Sequence, residues 1–181
     1  MPIWRPRRNA SGISLVEFVL DGAVLRGAGL SLRAAHGRMG ITPAAAKREG
    51  DGATPAGRLK LVRVLYRADR LPPPACAVPL EPIGPQDGWC DDPADAAYNY
   101  PVRLPYPASH EELWRPDHVY DVIGVLDWNL APVTPGRGSA IFLHAATPDY
   151  APTAGCVALA LPDLLAALGA GLSAIRVPEA A

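Results

Sequence analysis

No stretch of the 181-residue chain offers the roughly 20 consecutive apolar residues that a membrane-spanning helix needs. The nearest approach, Ile13 to Leu20, is short and broken by Glu17, so it reads as a strand, and no signal peptide is evident. An excess of one charge is missing too. The 17 Lys and Arg against 18 Asp and Glu leave a formal net charge of −1, which removes the usual electrostatic ground for nucleic-acid binding. The one basic cluster, Arg5, Arg7 and Arg8, reads as a solvated terminal tail. Neither Cys-x-x-Cys nor His-Glu-x-x-His occurs, so no zinc site, other metal or cofactor is expected, and His36, His110 and His118 read as surface or turn residues. Only three cysteines are present: Cys76 and Cys90 form a disulfide and leave Cys156 as a free thiol, or all three stay unpaired. Heptads, internal repeats and sustained helical periodicity are also lacking.

What the chain does have is 49% hydrophobic residues, enough for one domain with a substantial core. Its 21 prolines and 17 glycines oppose long helices and punctuate short apolar runs. Strands are expected at Ser14 to Leu20, Ala23 to Arg26, Leu30 to Ala34, Arg58 to Arg67, Val119 to Trp128 and Ser139 to His144. A helix is expected from about Pro162, with Leu164, Leu165 and Leu168 facing a core and Gly169 or Gly171 ending it; Leu172 to Val177 then returns as a strand near the start of the fold. A weaker helix is expected over Ser109 to Trp114, where Ser109 and Glu112 have capping-box spacing. The Leu71 to Pro107 connection, rich in Pro, Gly and Asp, reads as a long substrate-facing loop carrying Trp89, Asp91, Asp92, Tyr98 and Arg103. Those aromatics either pack on a ligand or pin the loop to the surface. The overall expectation is a mainly β single domain.

The most informative segment runs from the strand ending at His144, through a loop broken by Pro148, Asp149 and Pro152, to Thr153-Ala154-Gly155-Cys156. The prolines and Asp149 force a turn that can return the imidazole to the thiol. A neighbouring imidazole can take the thiol proton, because the thiolate is the nucleophile, and the amides of Gly155 and Cys156 can serve an oxyanion. The pattern is that of cysteine acyl transfer. Asp149 reads as a loop-capping residue, since no triad carboxylate is required.

This segment resembles the signature of YkuD-type L,D-transpeptidases, a His followed by a loop ending in Ser/Thr-His-Gly-Cys. Upstream, Lys47-Arg48-Glu49-Gly50-Asp51-Gly52-Ala53-Thr54-Pro55-Ala56-Gly57-Arg58-Leu59 resembles the family's Lys-x-x-Gly-Asp-x-x-Thr-Pro-x-Gly-x-Phe segment. The stretch from Gly88 to Asp92, through Tyr98-Asn99 and Leu113-Trp114-Arg115, is similar to a proteobacterial branch. Two departures stand out: Ala154 replaces the usual His before Gly-Cys, and Ala158 replaces an Arg two residues after the Cys. The His-to-Cys spacing is also compact.

The resemblance implies a YkuD-like β-sandwich or mixed sheet with a few short helices, spanning residues 30–178, with residues 1–29 as an N-terminal arm and first strands packed on it. It implies Cys156 as nucleophile, His144 as general base and acid, the Ala145 carbonyl as orienter of His144, and the Gly155 amide as oxyanion donor. Arg103, Tyr98, Trp89 and Thr153 are the candidate substrate-binding residues, with Arg103 suited to a stem-peptide carboxylate. The expected partners are peptidoglycan stem peptides, as donor and acceptor of 3–3 or 1–3 crosslinks, and the expected setting is a periplasmic monomer. Transfer to water instead of an amine would give an L,D-carboxypeptidase or endopeptidase, and loss of turnover a wall-binding domain.

Overall fold

The computed structural model describes residues 12–179, so the Arg5, Arg7 and Arg8 cluster lies outside the described residues. In chain order the elements are β1 (Val16–Asp21), β2 (Val24–Gly27), β3 (Leu30–Ala35), β4 (Ile41–Thr42), β5 (Thr54–Pro55), β6 (Gly57–Tyr66), β7 (Leu80–Pro82), β8 (Asp87–Cys90), β9 (Pro101–Arg103), β10 (His110–Glu112), β11 (Val122–Leu126), β12 (Phe142–Ala145), β13 (Val157–Leu159), α1 (Leu161–Gly169) and β14 (Leu172–Val177). The mainly β expectation holds, with one helix among the described residues instead of a few.

Nine strands pair in the order β11-β12-β13-β3-β2-β1-β14-β6-β7, and β11 also pairs with β6, so the strands close on themselves. Two of them make the closure. The first half of β6 pairs with β14 and its second half with β11; the start of β3 pairs with β2 and its end with β13. Burial along β6 shows how it bends. Leu59 and Leu61 point inward, then the alternation slips by one residue to Val64 and Tyr66, leaving Val62 37% exposed. That slip coincides with the register shift between Val125 and Leu126 on β11, a bulge that turns the strand from one sheet to the other.

Two apolar clusters follow from this arrangement. The main core gathers Phe18, Leu20 and Leu25 with Leu143, Val157, Leu159 and one face of α1. The second contains Ile83, Trp89, Tyr120, Ile123, Val125, Phe142 and Cys156. Strands β11, β12 and β13 lie between the two, which is why every residue of the three is buried. Their alternate side chains go to opposite cores.

The second cluster is roofed by the segment expected to be a long irregular loop. That expectation is corrected: the segment contributes β7, β8 and β9, and β8 is the middle strand of a small sheet ordered β10-β8-β9. The helix expected over Ser109 to Trp114 is corrected as well. His110, Glu111 and Glu112 pair antiparallel with Cys90, Trp89 and Gly88, and these ladder bonds outweigh the local capping signal. The first strands are inner members of the main sheet, since β1 pairs with β2 and with β14.

Helix α1 starts as expected, with Pro162 in the first turn, Asp163 behind it and Leu164 and Leu168 buried. Gly171 follows at φ +93°, and a Cβ there would stand 1.9 Å from the Ser14 carbonyl oxygen. Only glycine lets the chain pass that close before β14 begins. No helix among the described residues is long and apolar enough to cross a membrane.

Candidate active site

Parallel pairing of β12 with β13 sets Leu143 against Val157 and His144 against Ala158. Continuing that register places Cys156 level with Phe142, and the Phe142 N–H does donate to Cys156 Sγ at 3.4 Å. Cys156 and His144 therefore project from the same face, two positions apart on neighbouring strands. A strand spacing near 4.8 Å and a rise of about 3.3 Å per residue put their Cα atoms roughly 8 Å apart, within side-chain reach. Ala158 is the closest same-face neighbour of His144 in this register, and its small size leaves room for the ring.

The imidazole is oriented by its own strand end. His144 Nδ1 lies 2.9 Å from the Ala145 carbonyl oxygen. A carbonyl only accepts, so Nδ1 carries the proton and Nε2 of the neutral ring is a proton acceptor. Burial, more than any nearby charge, holds the His144 pKa below its ordinary value. Burial likewise pushes the Cys156 thiol up to about 12, against a smaller opposing effect of the Phe142 amide. The resting pair is thus neutral thiol and neutral imidazole, with the thiol donating to the Ala140 carbonyl oxygen at 3.2 Å.

The turn before Cys156 is built from hydrogen bonds that the sequence motifs foreshadow only in part. Thr153 Oγ1 accepts from the Gly155 amide at 3.1 Å and donates to the Cys156 carbonyl at 2.6 Å. The Gly155 carbonyl accepts from Thr54 Oγ1 at 2.8 Å, and Thr54 Oγ1 in turn accepts from the Gly37 amide at 2.9 Å. Thr54 is fully buried. Gly155 sits at φ +143°, where a Cβ would come within 2.9 Å of the Ala53 oxygen. The upstream motif therefore clamps the turn that precedes Cys156. Asp51 braces that motif: its Oδ1 accepts from buried Lys47 Nζ at 2.6 Å and from the Ala53 amide at 2.9 Å. Thr153 lies in the turn itself, and its hydroxyl is occupied by backbone.

The remaining candidates are distributed differently. Trp89 and Tyr98 are 1% and 2% exposed, so their rings pack inside and present no open face to a ligand. Trp89 meets Phe142 edge to face at 5.2 Å and donates from Nε1 to Asn99 Oδ1 at 3.0 Å. The Tyr98 hydroxyl donates to Glu49, which also accepts from Ser139 Oγ. Arg103 is 69% exposed on β9, paired with Asp87 at the start of β8 and with Gln86 in the turn before it. Asp149 accepts from Thr147 Oγ1 at 2.6 Å at an exposed turn, which lowers its pKa. All three cysteines are free and buried, so no Cys76 to Cys90 disulfide is present. Among the described residues no group of His, Cys, Asp and Glu is arranged to hold a metal ion.

Sequence reasoning gave no role to two residues that touch this site, Asn99, which it quoted only within a motif, and Tyr120. Asn99, 1% exposed, accepts from Trp89 Nε1 and the Ala140 amide and donates to the Trp128 and Asn129 carbonyls. It links the roof to the carbonyl that holds the thiol. Tyr120 sets its ring 5.5 Å from that of His144 and donates its hydroxyl to Glu111 Oε2 at 2.7 Å. No local motif marks Tyr120, because its neighbour His144 lies on a different strand.

A family model described as the L,D-transpeptidase catalytic domain, YkuD, matches residues 14–169. No curated protein and no solved structure matches the chain. The matched span runs from the start of β1 to the end of α1 and contains both halves of the clamp around Cys156. With most of its length inside that match, and with a histidine and a cysteine facing each other across two parallel strands, the chain belongs to the YkuD family of L,D-transpeptidase catalytic domains.

Proposed function

We propose that the chain is a peptidoglycan L,D-transpeptidase that works through a cysteine acyl-enzyme outside the cytoplasm. The observation that carries this reading is the tautomer and placement of His144. Its Nδ1–H is spent on the Ala145 carbonyl, and its Nε2 is left as a base on the face that bears Cys156. On donor binding, Cys156 Sγ exchanges the Ala140 carbonyl for His144 Nε2, loses its proton and attacks the stem-peptide carbonyl on an L-centre. The amides of Gly155 and Cys156 donate to the developing oxyanion, the former leaving Thr153 Oγ1 to do so. His144 returns the proton to the departing D-residue amine. An amine of a second stem peptide then attacks the thioester carbonyl: the new C–N bond forms, the C–S bond breaks, and the amine's proton passes through His144 to the sulfur. Water in place of the amine makes the same site an L,D-carboxypeptidase or endopeptidase, and the donor bond cleaved, after the third stem residue or after L-Ala, decides between a 3–3 and a 1–3 crosslink.

Since the thiol is buried and neutral in this structure, slow reaction with general thiol reagents fits both a catalytic and a wall-binding protein. Acylation inside the site separates them. Members of this family are acylated by carbapenems, so intact mass spectrometry after carbapenem treatment is expected to show one adduct, absent in Cys156→Ala. An unmodified wild-type mass would contradict the reading.

A further inference from the structure

A general base has to present one ring nitrogen, and strand β12 alone does little to keep the His144 ring in place. The second side-chain torsion of a histidine is broad and roughly two-fold, so the backbone leaves the imidazole free to turn. Its partners across the two ladders, Ile123 and Ala158, are aliphatic and offer a ring nitrogen nothing to bond. The Ala145 carbonyl supplies a single hydrogen bond to Nδ1. In water a neutral imidazole favours the opposite tautomer, with the proton on Nε2, where the ring is no base.

The turn before β11 adds two restraints. The Val119 carbonyl accepts from the Ala145 amide at 3.0 Å, which anchors the residue whose own carbonyl holds Nδ1. One residue further on, the Tyr120 ring lies 5.5 Å from the imidazole with 72° between the planes. Tyr120 is itself held on every side that the structure shows. The ring is buried, meets Phe142 edge to face at 6.2 Å, and has the Arg115 guanidinium 5.2 Å from its centroid. Its hydroxyl donates to Glu111 Oε2 at 2.7 Å, and burial keeps that hydroxyl protonated. The turn is stapled from behind as well: Arg70 donates to the carbonyls of Arg115, Pro116 and Asp117 and to the buried carboxylate of Asp121.

We propose that Tyr120 is a positioning residue for the base: its ring blocks rotation of the His144 imidazole, which keeps the Nδ1 proton on the Ala145 carbonyl and leaves Nε2 bare on the face that bears Cys156. The inference rests on the transpeptidase reading for the use made of Nε2, and on geometry alone for the tautomer. Tyr120 acts through His144 and transfers no proton itself, because its hydroxyl is spent on Glu111.

The test reads the tautomer directly, by long-range proton–nitrogen correlation spectra of the full chain at neutral pH, with His144→Gln identifying the His144 signals. It pairs them with the rate of carbapenem acylation at saturating drug. The wild type is expected to show one tautomer, protonated on Nδ1. Tyr120→Phe keeps the ring, and should keep that tautomer and most of the rate. Tyr120→Leu and the more flexible Tyr120→Met remove the ring; whichever of them is folded in a urea titration should show the two tautomers averaged and acylate about a hundredfold more slowly. A packing role alone would lower the stability of these variants and leave the tautomer and rate of the folded protein untouched, and that result overturns the proposal. A wild type protonated on Nε2 overturns it too, as does a Tyr120→Phe protein as impaired as Tyr120→Leu, which would move the role from the ring to the hydroxyl. If the wild type is never acylated, the transpeptidase reading fails, while the tautomers of the wild type and the ring-less variants still decide what Tyr120 does.

Discussion

At the scale of single residues, the proposed mechanism starts from a pair, Cys156 and His144, that burial keeps uncharged until a substrate arrives. His144 is depressed chiefly by burial, so its neutral, basic form persists to lower pH than that of an ordinary histidine. The sign is clear: acid removes the base only below its lowered pKa. The acylation rate is expected to stay level from pH 7 down through 6.5, the ordinary histidine value, and to fall only further down. A midpoint at or above 6.5 in a stopped mass-spectrometric pH series would contradict that. The thiol's rise to about 12 adds a second expectation, that iodoacetamide alkylates Cys156 at pH 8 at least about a hundredfold more slowly than it does a free cysteine. The sequence pointed to Cys156, His144 and Gly155 because they share one short loop. Tyr120 and Glu111 did not stand out, since they approach His144 from the turn before β11 and from β10, and no spacing rule connects them to it.

At the scale of elements, the parallel β12 and β13 pair aligns the reactive groups, and the segment around β5 locks the turn between them. Thr54 is the key contact, its hydroxyl accepting from Gly37 and donating to Gly155. Thr54→Val keeps the shape and removes the hydroxyl, so two buried backbone groups lose their partner. The expected cost is about 1 to 3 kcal/mol in a urea titration, with acylation slowed even where the variant is fully folded. Wild-type acylation in a folded Thr54→Val protein would refute the clamp. The upstream motif was visible in the sequence, but its job was not, because the contact spans 101 residues. The same limit explains the strand found at His110 to Glu112, where the Ser109 and Glu112 spacing favours a helix. Local capping is worth about 1 kcal/mol, and pairing with β8 decides the outcome. Conversely, α1 and β14 appeared where expected, because Pro162, Gly171 and the apolar periodicity between them are local signals.

At the scale of the molecule, a closed ring of strands encloses one core, and the excursion between β6 and β11 roofs a second that holds the thiol. The roof looked like a loop because prolines, glycines and aspartates dominate its composition. Its burial comes from Trp89, Tyr98 and Asn99, whose partners are distant in sequence. Closure depends on the junction of α1 with β14, so Gly171→Ala, which would drive a Cβ into the Ser14 carbonyl, is expected to cost about 3 kcal/mol or more in a single cooperative transition. A change under about 1 kcal/mol would show that the junction adapts. Alkylation in denaturant without reductant is expected to modify all three cysteines, and fewer would reveal a disulfide absent here. The central claim is that this fold delivers an acyl group from Cys156 to an amine. Its most direct test is muropeptide analysis after incubating the purified protein with peptidoglycan, with Cys156→Ala as control. New dimers made only by the wild type are the predicted result, their fragmentation distinguishing 3–3 from 1–3 linkage, and an unchanged muropeptide profile would contradict the account.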